Sequence, residues 1–394
     1  MVDRYTSEET VGYGSRVKQS FGGALVGLAM FVAAFPLLFW NEGRAVAEHK
    51  ALREGAGAVV SVKAAPLDPA NEGKLVHVGG TASASGTLVD PTFGVRADGI
   101  ALSRNVEMFQ WVEHKETRTE KQLGGSEKRV TTYEYDTKWD DDAIDSDRFE
   151  HRDGHRNPDK FPFEANRVRA DPVRLGDFVL STRYVDDIGN ARPLTPTLDQ
   201  LPPNLAASFQ LDDGRLVTSR DPAKPAVGDV RVTFSVVPQQ VVSTIGVQRN
   251  GRIEAYTASN GREIALLDSG DVPAERMFAQ AQSRASMFTW VLRGVGFVLM
   301  WFGLSAALGW LSTVLDVLPI LGTLVQKGIG IVAALIALPL AMLTIALAWF
   351  VYRPLLSVVL VAVAIGAFWL LRRRARGALP PPPPAASPPP LPGV

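Results

Sequence analysis

The chain contains no cysteine. That removes disulfides, thiolate zinc sites, iron–sulfur clusters and cysteine nucleophiles from consideration. It also lacks a charge of one sign: 41 Lys and Arg balance 41 Asp and Glu. Without a basic excess, nucleic acid is not expected as a partner. Histidine is scarce, with five in 394 residues, and none falls in a long apolar run. The zinc pattern HExxH, the nucleophile elbow GxSxG and the phosphate loop GxxxxGK[ST] are all absent. Gly303-Leu304-Ser305 does bring a serine into an apolar run, but no histidine is there to act as its base. We therefore expect no enzyme activity and no cofactor.

What the chain does have is apolar runs at its two ends. Residues 21–40, FGGALVGLAMFVAAFPLLFW, carry no charge. At roughly 1.5 Å per residue they cross a bilayer core of about 30 Å as a helix. Three further runs follow near 288–311, 329–350 and 355–371. Arg4, Arg16 and Lys18 precede the first, and Arg372, Arg373, Arg374 and Arg376 follow the last. The positive-inside rule then expects both termini, residues 1–20 and 372–394, in the cytoplasm. Residues 41–286 are expected on the opposite, exoplasmic side. The ionisable residues Arg293, Asp316, Lys327 and Arg353 lie at run ends or in loops, which argues against a proton relay. Gly23 and Gly27 form a small-xxx-small pair that would let a second helix approach closely. The tail from Pro380 to Val394 is proline-rich and reads as a polyproline II segment.

The middle of the chain reads as β-rich. In Val230–Val236 apolar and polar residues alternate strictly, the mark of a half-buried strand. Val242–Gln248 and Ile253–Thr257 flank Asn250-Gly251, which suits a type I′ hairpin turn. A second hairpin is expected between 106–113 and 130–139, turning near Gly124-Gly125. On its second arm Thr131, Tyr133, Tyr135, Thr137 and Trp139 share a face, read as packing rather than as a ligand platform. Pro273, two residues after Asp271, starts a helix that leads into the second run. The fold class expected is a multi-pass α-helical membrane protein of four spans. A large β-rich α+β exoplasmic domain is inserted between spans one and two. The candidate metal ligands are His151, Asp153 and His155, close in sequence to Asp140, Asp141, Asp142, Asp145 and Asp147. Imidazole with carboxylate suits zinc, although clustered acids are more often a solvated loop.

Several stretches together resemble the transmembrane protein 43 family, also called LUMA. They are Asn41-Glu42-Gly43-Arg44-Ala45, Asn71-Glu72-Gly73-Lys74-Leu75-Val76-His77, Asp90-Pro91-Thr92-Phe93-Gly94-Val95 and the run from Asn105 to Glu113. Gly154-His155-Arg156-Asn157-Pro158, the run from Val227 to Val232, the run from Met287 to Arg293, and Tyr352-Arg353-Pro354-Leu355 complete the set. No single piece is diagnostic, but they occur in order over almost the whole chain. The resemblance implies a four-span membrane protein with a large lumenal or periplasmic domain. Animal members reside in the endoplasmic reticulum and inner nuclear membrane. They are viewed as nuclear-envelope organisers that self-associate and bind lamins and emerin-like proteins. The family carries no established catalytic residues. The Ala-, Arg- and Pro-rich composition looks bacterial, and in a bacterium the location implied is the inner membrane with a periplasmic domain. The function expected is a membrane-anchored scaffold that binds the bilayer, copies of itself and other envelope proteins. The alternative is a channel or transport component formed by oligomerised spans.

Overall fold

A computed structural model of the chain describes residues 3–122, 126–315 and 319–354, together with Val358, Ala362, Gly366, Trp369 and Arg372. Three long helices organise it: α1 (Tyr13–Ala58), α2 (Ala274–Leu315) and α3 (Pro319–Tyr352). Each holds a segment long and apolar enough to cross a membrane, within Tyr13–Ala58, Ala274–Thr313 and Gly328–Tyr352. These contain the first three expected spans. The fourth, 355–371, lies outside the described residues apart from isolated positions, as does the tail beyond Arg372.

α1 has 46 residues, roughly 69 Å of helix, about twice a bilayer core. Its apolar first half packs on α2, and its polar second half continues without a break into the β-rich body. α1 and α2 run antiparallel at close range. A Cβ at Gly27 would fall 2.7 Å from the Gly303 carbonyl and from Ala306, and one at Gly303 would fall 2.5 Å from the Phe31 amide. Only hydrogen fits at that crossing, the condition for tight helix contact without a hydrophobic driving force. Of the Gly23–Gly27 pair only Gly27 serves this purpose, since a Cβ at Gly23 meets nothing within 4 Å. Ala34, Leu38, Met300, Ala337 and Ala341 fill the bundle centre.

Nine strands carry the rest of the argument: β1 (Asp3–Val11), β2 (Leu75–Ala84), β3 (Ala101–Lys121), β4 (Glu127–Asp140), β5 (Val173–Leu175), β6 (Phe178–Leu180), β7 (Val230–Val237), β8 (Gln240–Arg249) and β9 (Arg252–Glu254). Pairings β8–β2, β2–β5, β5–β6, β6–β9 and β9–β8 close on themselves, so five strands form a small barrel, to which Val60–Val62 adds on β2 and Leu266–Ser269 on β8. Asn250 (φ 48°) and Gly251 (φ 71°) turn β8 into β9 with positive φ at both positions, as the Asn-Gly pair predicts. The second sheet has the order β1–β4–β3–β7 and continues into short strands at Arg215–Val217 and Gln210–Asp212. In β7 the alternation holds, with Val230, Val232 and Phe234 inward. Val76, Leu175 and Phe178 of the barrel share one hydrophobic core with Leu102, Val106 and Phe234 of the second sheet. The body is thereby one packed unit.

A second cluster joins the body to the helices. Ala51 and Leu52 of α1 meet Met277, Phe278 and Ala281 of α2 and Leu75, Ile245 and Ile264 of the β-rich body. A Cβ at Gly55 would fall 2.7 Å from Ile264 and 3.0 Å from Phe278.

The N-terminal stretch differs from expectation. Read from sequence as a polar segment apart from the domain, Asp3–Val11 forms β1, paired residue by residue with β4 from Asp3↔Tyr135 to Val11↔Glu127. Its alternation of Tyr5, Ser7 and Glu9 with Arg4, Thr6 and Glu8 carries no apolar period, so only the edge of β4 reveals it as a strand. The β3–β4 hairpin is longer than its predicted arms, running from Met108↔Asp140 to Lys121↔Glu127. The ribbon tip lies beside the start of α1, where Arg16 bridges Glu127 at 2.7 Å and Arg129 donates to Gln19 at 3.2 Å.

Candidate functional site

Two polar constellations stand out. The first lies where the apolar half of α1 ends. Trp40 closes the uncharged run, and the next two side chains, Asn41 and Glu42, are fully buried. A buried carboxylate is unfavourable unless paired and hydrogen bonded. Glu42 receives Arg293 of α2 in a two-pronged contact, Nε to Oε1 at 2.6 Å and Nη2 to Oε2 at 2.8 Å. The Trp349 indole of α3 donates to Oε2 at 2.7 Å. Asn41 donates to the Thr289 carbonyl at 3.1 Å, and Arg44 donates to Thr289 Oγ1 at 3.1 Å. The Arg293 guanidinium also lies over Trp290, 4.6 Å from the ring centroid. Gly43 admits Tyr352, whose ring carbon would stand 2.6 Å from a Cβ there. The pieces 41–45 and 287–293 and the described part of the third, 352–354, far apart in sequence, thus meet at one point. Sequence reasoning singled out each piece yet not their meeting. The signal was an acid just past the first apolar run and an arginine just inside the start of the second.

The second constellation sits on the ribbon and holds two of the expected metal ligands. His155, 2% exposed, stacks on Tyr135 with ring centroids 4.0 Å apart. Its Nδ1 donates to the His151 carbonyl at 3.0 Å, and its Nε2 lies 3.3 Å from Asp3 Oδ2. His151 stacks instead on Tyr5, centroids 4.1 Å apart. Asp153 is exposed. Each imidazole is engaged by a ring, and the three residues do not converge. The spacing of the motif was legible, but the rings that claim these histidines come from β1 and β4. Among the described residues the side chains close enough to share an ion are Asp140, Asp141 and Asp142. The hydrogen-bonded Lys138 ammonium and the Asp142 amide hold the Asp140 carboxyl below its usual range.

Tyr133, Tyr135 and Phe149 pack with Trp111 and Ile144, so the aromatic face of β4 is a packed one. The Tyr135 hydroxyl donates to the Glu113 carboxylate and accepts from the His151 amide. Burial first, and then the Glu113 carboxylate, push the Tyr135 phenol up to about 12. Asn157 fixes the neighbouring loop to β3: its Oδ1 accepts from the Trp111 amide at 2.7 Å and its amide donates to the Trp111 carbonyl at 3.0 Å.

Fold and site together define a membrane protein in which three apolar helices carry a large β-rich body. The family model for transmembrane protein 43 matches residues 108–354, more than half of the chain. The chain is 36% identical to transmembrane protein 43 of Rattus norvegicus over 373 residues, covering 92% of each chain. It is 35% identical to the Homo sapiens protein over 365 residues, 90% of each. It is 30% identical to the Drosophila melanogaster homologue over 341 residues, 85% of this chain and 90% of that one. The chain belongs to the transmembrane protein 43 family. No solved structure matches it.

Proposed function

We propose that this protein is a membrane-anchored scaffold whose body binds copies of itself and other envelope proteins on the exoplasmic face. The observation that supports this reading is the rigid joint. α1 and α2 pass from the bundle into the body as unbroken helices and are clamped there by Ala51, Leu52 and Phe278. Such a joint transmits position and orientation, as a platform requires. Both polar constellations, at Glu42 and at His155, are tied up in packing and ion pairs.

The proposed topology has four spans, with both termini in the cytoplasm. In that arrangement the bilayer separates β1 from β4. The ribbon bridges the two ends of the apolar half of α1, so a crossing α1 would set Lys115, Glu116 and Arg118 at the depth of the hydrocarbon. Lipid-exposed strands and charges are not tolerated there. Strand pairing by β1, and the contacts of the ribbon with Arg16 and Gln19, are therefore alternatives to membrane crossing by α1. Ten Leu, Val and Phe residues in 21–40 favour crossing by roughly 3–6 kcal/mol at 0.3–0.6 each. β1 is exposed at every position but its last and offers little in return. In a bilayer, crossing wins.

Native mass spectrometry of the full chain in mild detergent tests the scaffold reading. Dimers or higher species that grow with concentration are expected, and a monomer at every concentration overturns self-association.

A further inference from the structure

The ribbon of β3 and β4 runs out beyond the body. β7 accompanies β3 only as far as Met108, and from Phe109 outward β3 pairs with β4 while β1 lies on the far edge of β4. The Trp111 amide donates to the Asn157 side chain and its carbonyl accepts from it, so both point away from β4. Trp111 faces Thr137 in an unbroken register. In an antiparallel ladder the backbone groups of successive residues point to alternate sides. The odd-numbered residues of β4, Glu127 to Tyr135 among them, therefore present their amides and carbonyls to the outer edge. β1 takes that edge over nine residues. Its side chains match in charge as well: Arg4 bonds Glu134, and Glu8 bridges Lys128 at 2.9 Å. In the proposed four-span topology β1 lies across the bilayer. That leaves a two-stranded ribbon, marginal in water by itself. Its outer edge is a template for another chain.

We propose that the vacated edge of β4 pairs with β4 of a second copy, antiparallel about a two-fold axis through Thr131. The proposal rests on the scaffold reading and its topology, and it names the surface through which copies meet. A two-fold interface needs a surface complementary to itself, and β4 carries one. Lys128 and Arg129 lie in its first half, and Glu134, Asp136 and Asp140 in its second. With Thr131 on the axis, Lys128 of each copy stands opposite Glu134 of the other, in the place that Arg4 holds in β1. Arg129 stands opposite Tyr133, where a guanidinium can cover the ring, and Thr131 meets its own copy. An axis through Tyr133 would set Lys128 against Lys138, and like charges directly opposite are unfavourable. The product is a four-stranded sheet, β3–β4–β4–β3, in which both copies of β4 are central and fully paired. In detergent β1 competes for the same edge, so dimers form there only as concentration rises. In a bilayer the edge is open.

The test places single cysteines in the full chain, which has none of its own, and oxidises it mildly in sealed vesicles. Thr131→Cys should give a disulfide-linked dimer, because facing residues of a hydrogen-bonded pair lie about 5.5 Å apart, within the span of a disulfide. Thr137→Cys should not, because its two copies stand roughly 40 Å apart along the paired strands, at about 3.3 Å per residue. Lys128→Glu opposes like charges twice in each dimer and should weaken dimerisation by about tenfold, read by energy transfer between copies labelled at the C-terminus. Adding Glu134→Lys to it exchanges the two charges and should restore dimerisation, which a misfolded ribbon would not do. Equal cross-linking at 131 and 137, or an exchange variant as weak as Lys128→Glu alone, would overturn the proposal. Energy transfer without the cross-link at 131 would put the interface elsewhere, overturning this proposal while the scaffold reading stands. Monomers by both measures would overturn both.

Discussion

Replacing Glu42 by glutamine probes the joint most directly. The substitution keeps the shape and one acceptor oxygen but removes the charge that faces Arg293 and Trp349. Glu42 is fully buried, and the Arg293 side chain is 15% exposed. Water can therefore replace the lost partner only in part. Breaking one side of a buried pair costs about 3–5 kcal/mol, because the surviving charge stays desolvated. The amide retains part of the hydrogen bonding, which puts Glu42→Gln near the low end, about 3 kcal/mol. At about 2–4 °C per kcal/mol for a body of this size, the midpoint of thermal unfolding should fall by about 6–12 °C. The assay is fluorescence-detected gel filtration of heated, detergent-solubilised protein. Adding Arg293→Gln removes the orphaned charge, so the double variant should lie above the sum of the single effects by about 1–3 kcal/mol. A Glu42→Gln midpoint within about 1 °C of wild type would refute the argument. So would strictly additive behaviour, which would make the pair a screened surface contact worth little.

Other outcomes follow from the same geometry. Gly303→Leu, which pushes a side chain into the Phe31 backbone, should destabilise the bundle by about 3 kcal/mol or more, whereas Gly23→Leu, facing open space, should be neutral in the same melt. Cysteines at the facing positions Ser7 and Thr131 would be unique in a chain that has none. They should cross-link in detergent and fail to do so in sealed vesicles, and equal cross-linking in both would sink the proposed topology. The raised Tyr135 phenol stabilises the fold at every pH below its ordinary value near 10, and that contribution is lost as pH rises through about 12. Tyr135→Phe should remove this alkaline slope from the stability profile, a comparison that denaturant melts at pH 9 to 12 can read.

Much of the architecture was legible because its physical rules are local. A bilayer demands about twenty apolar residues in a row, and 21–40 supplies them. A two-residue hairpin demands positive φ twice, and Asn250-Gly251 supplies it. Alternation in Val230–Val236 betrayed a strand that buries one face. The second helix followed from Pro273 and the periodic run behind it. What the sequence does not display is the partners that each segment meets. His151 and His155 have ligand spacing, but spacing says nothing of the tyrosines that occupy both rings. Asp3–Val11 carries no apolar pattern, because an edge strand needs none when its partner supplies the ladder.

The sequence alone determined that apolar helices carry a polar, β-rich body, and its ordered motifs indicated the family. Both are written in composition and order along the chain. Only the tertiary structure decided what the motifs are for. Glu42, Arg293 and Trp349 are separated by 251 and 307 positions from the first of them. A buried charge declares its partners only when the chain has folded them into reach.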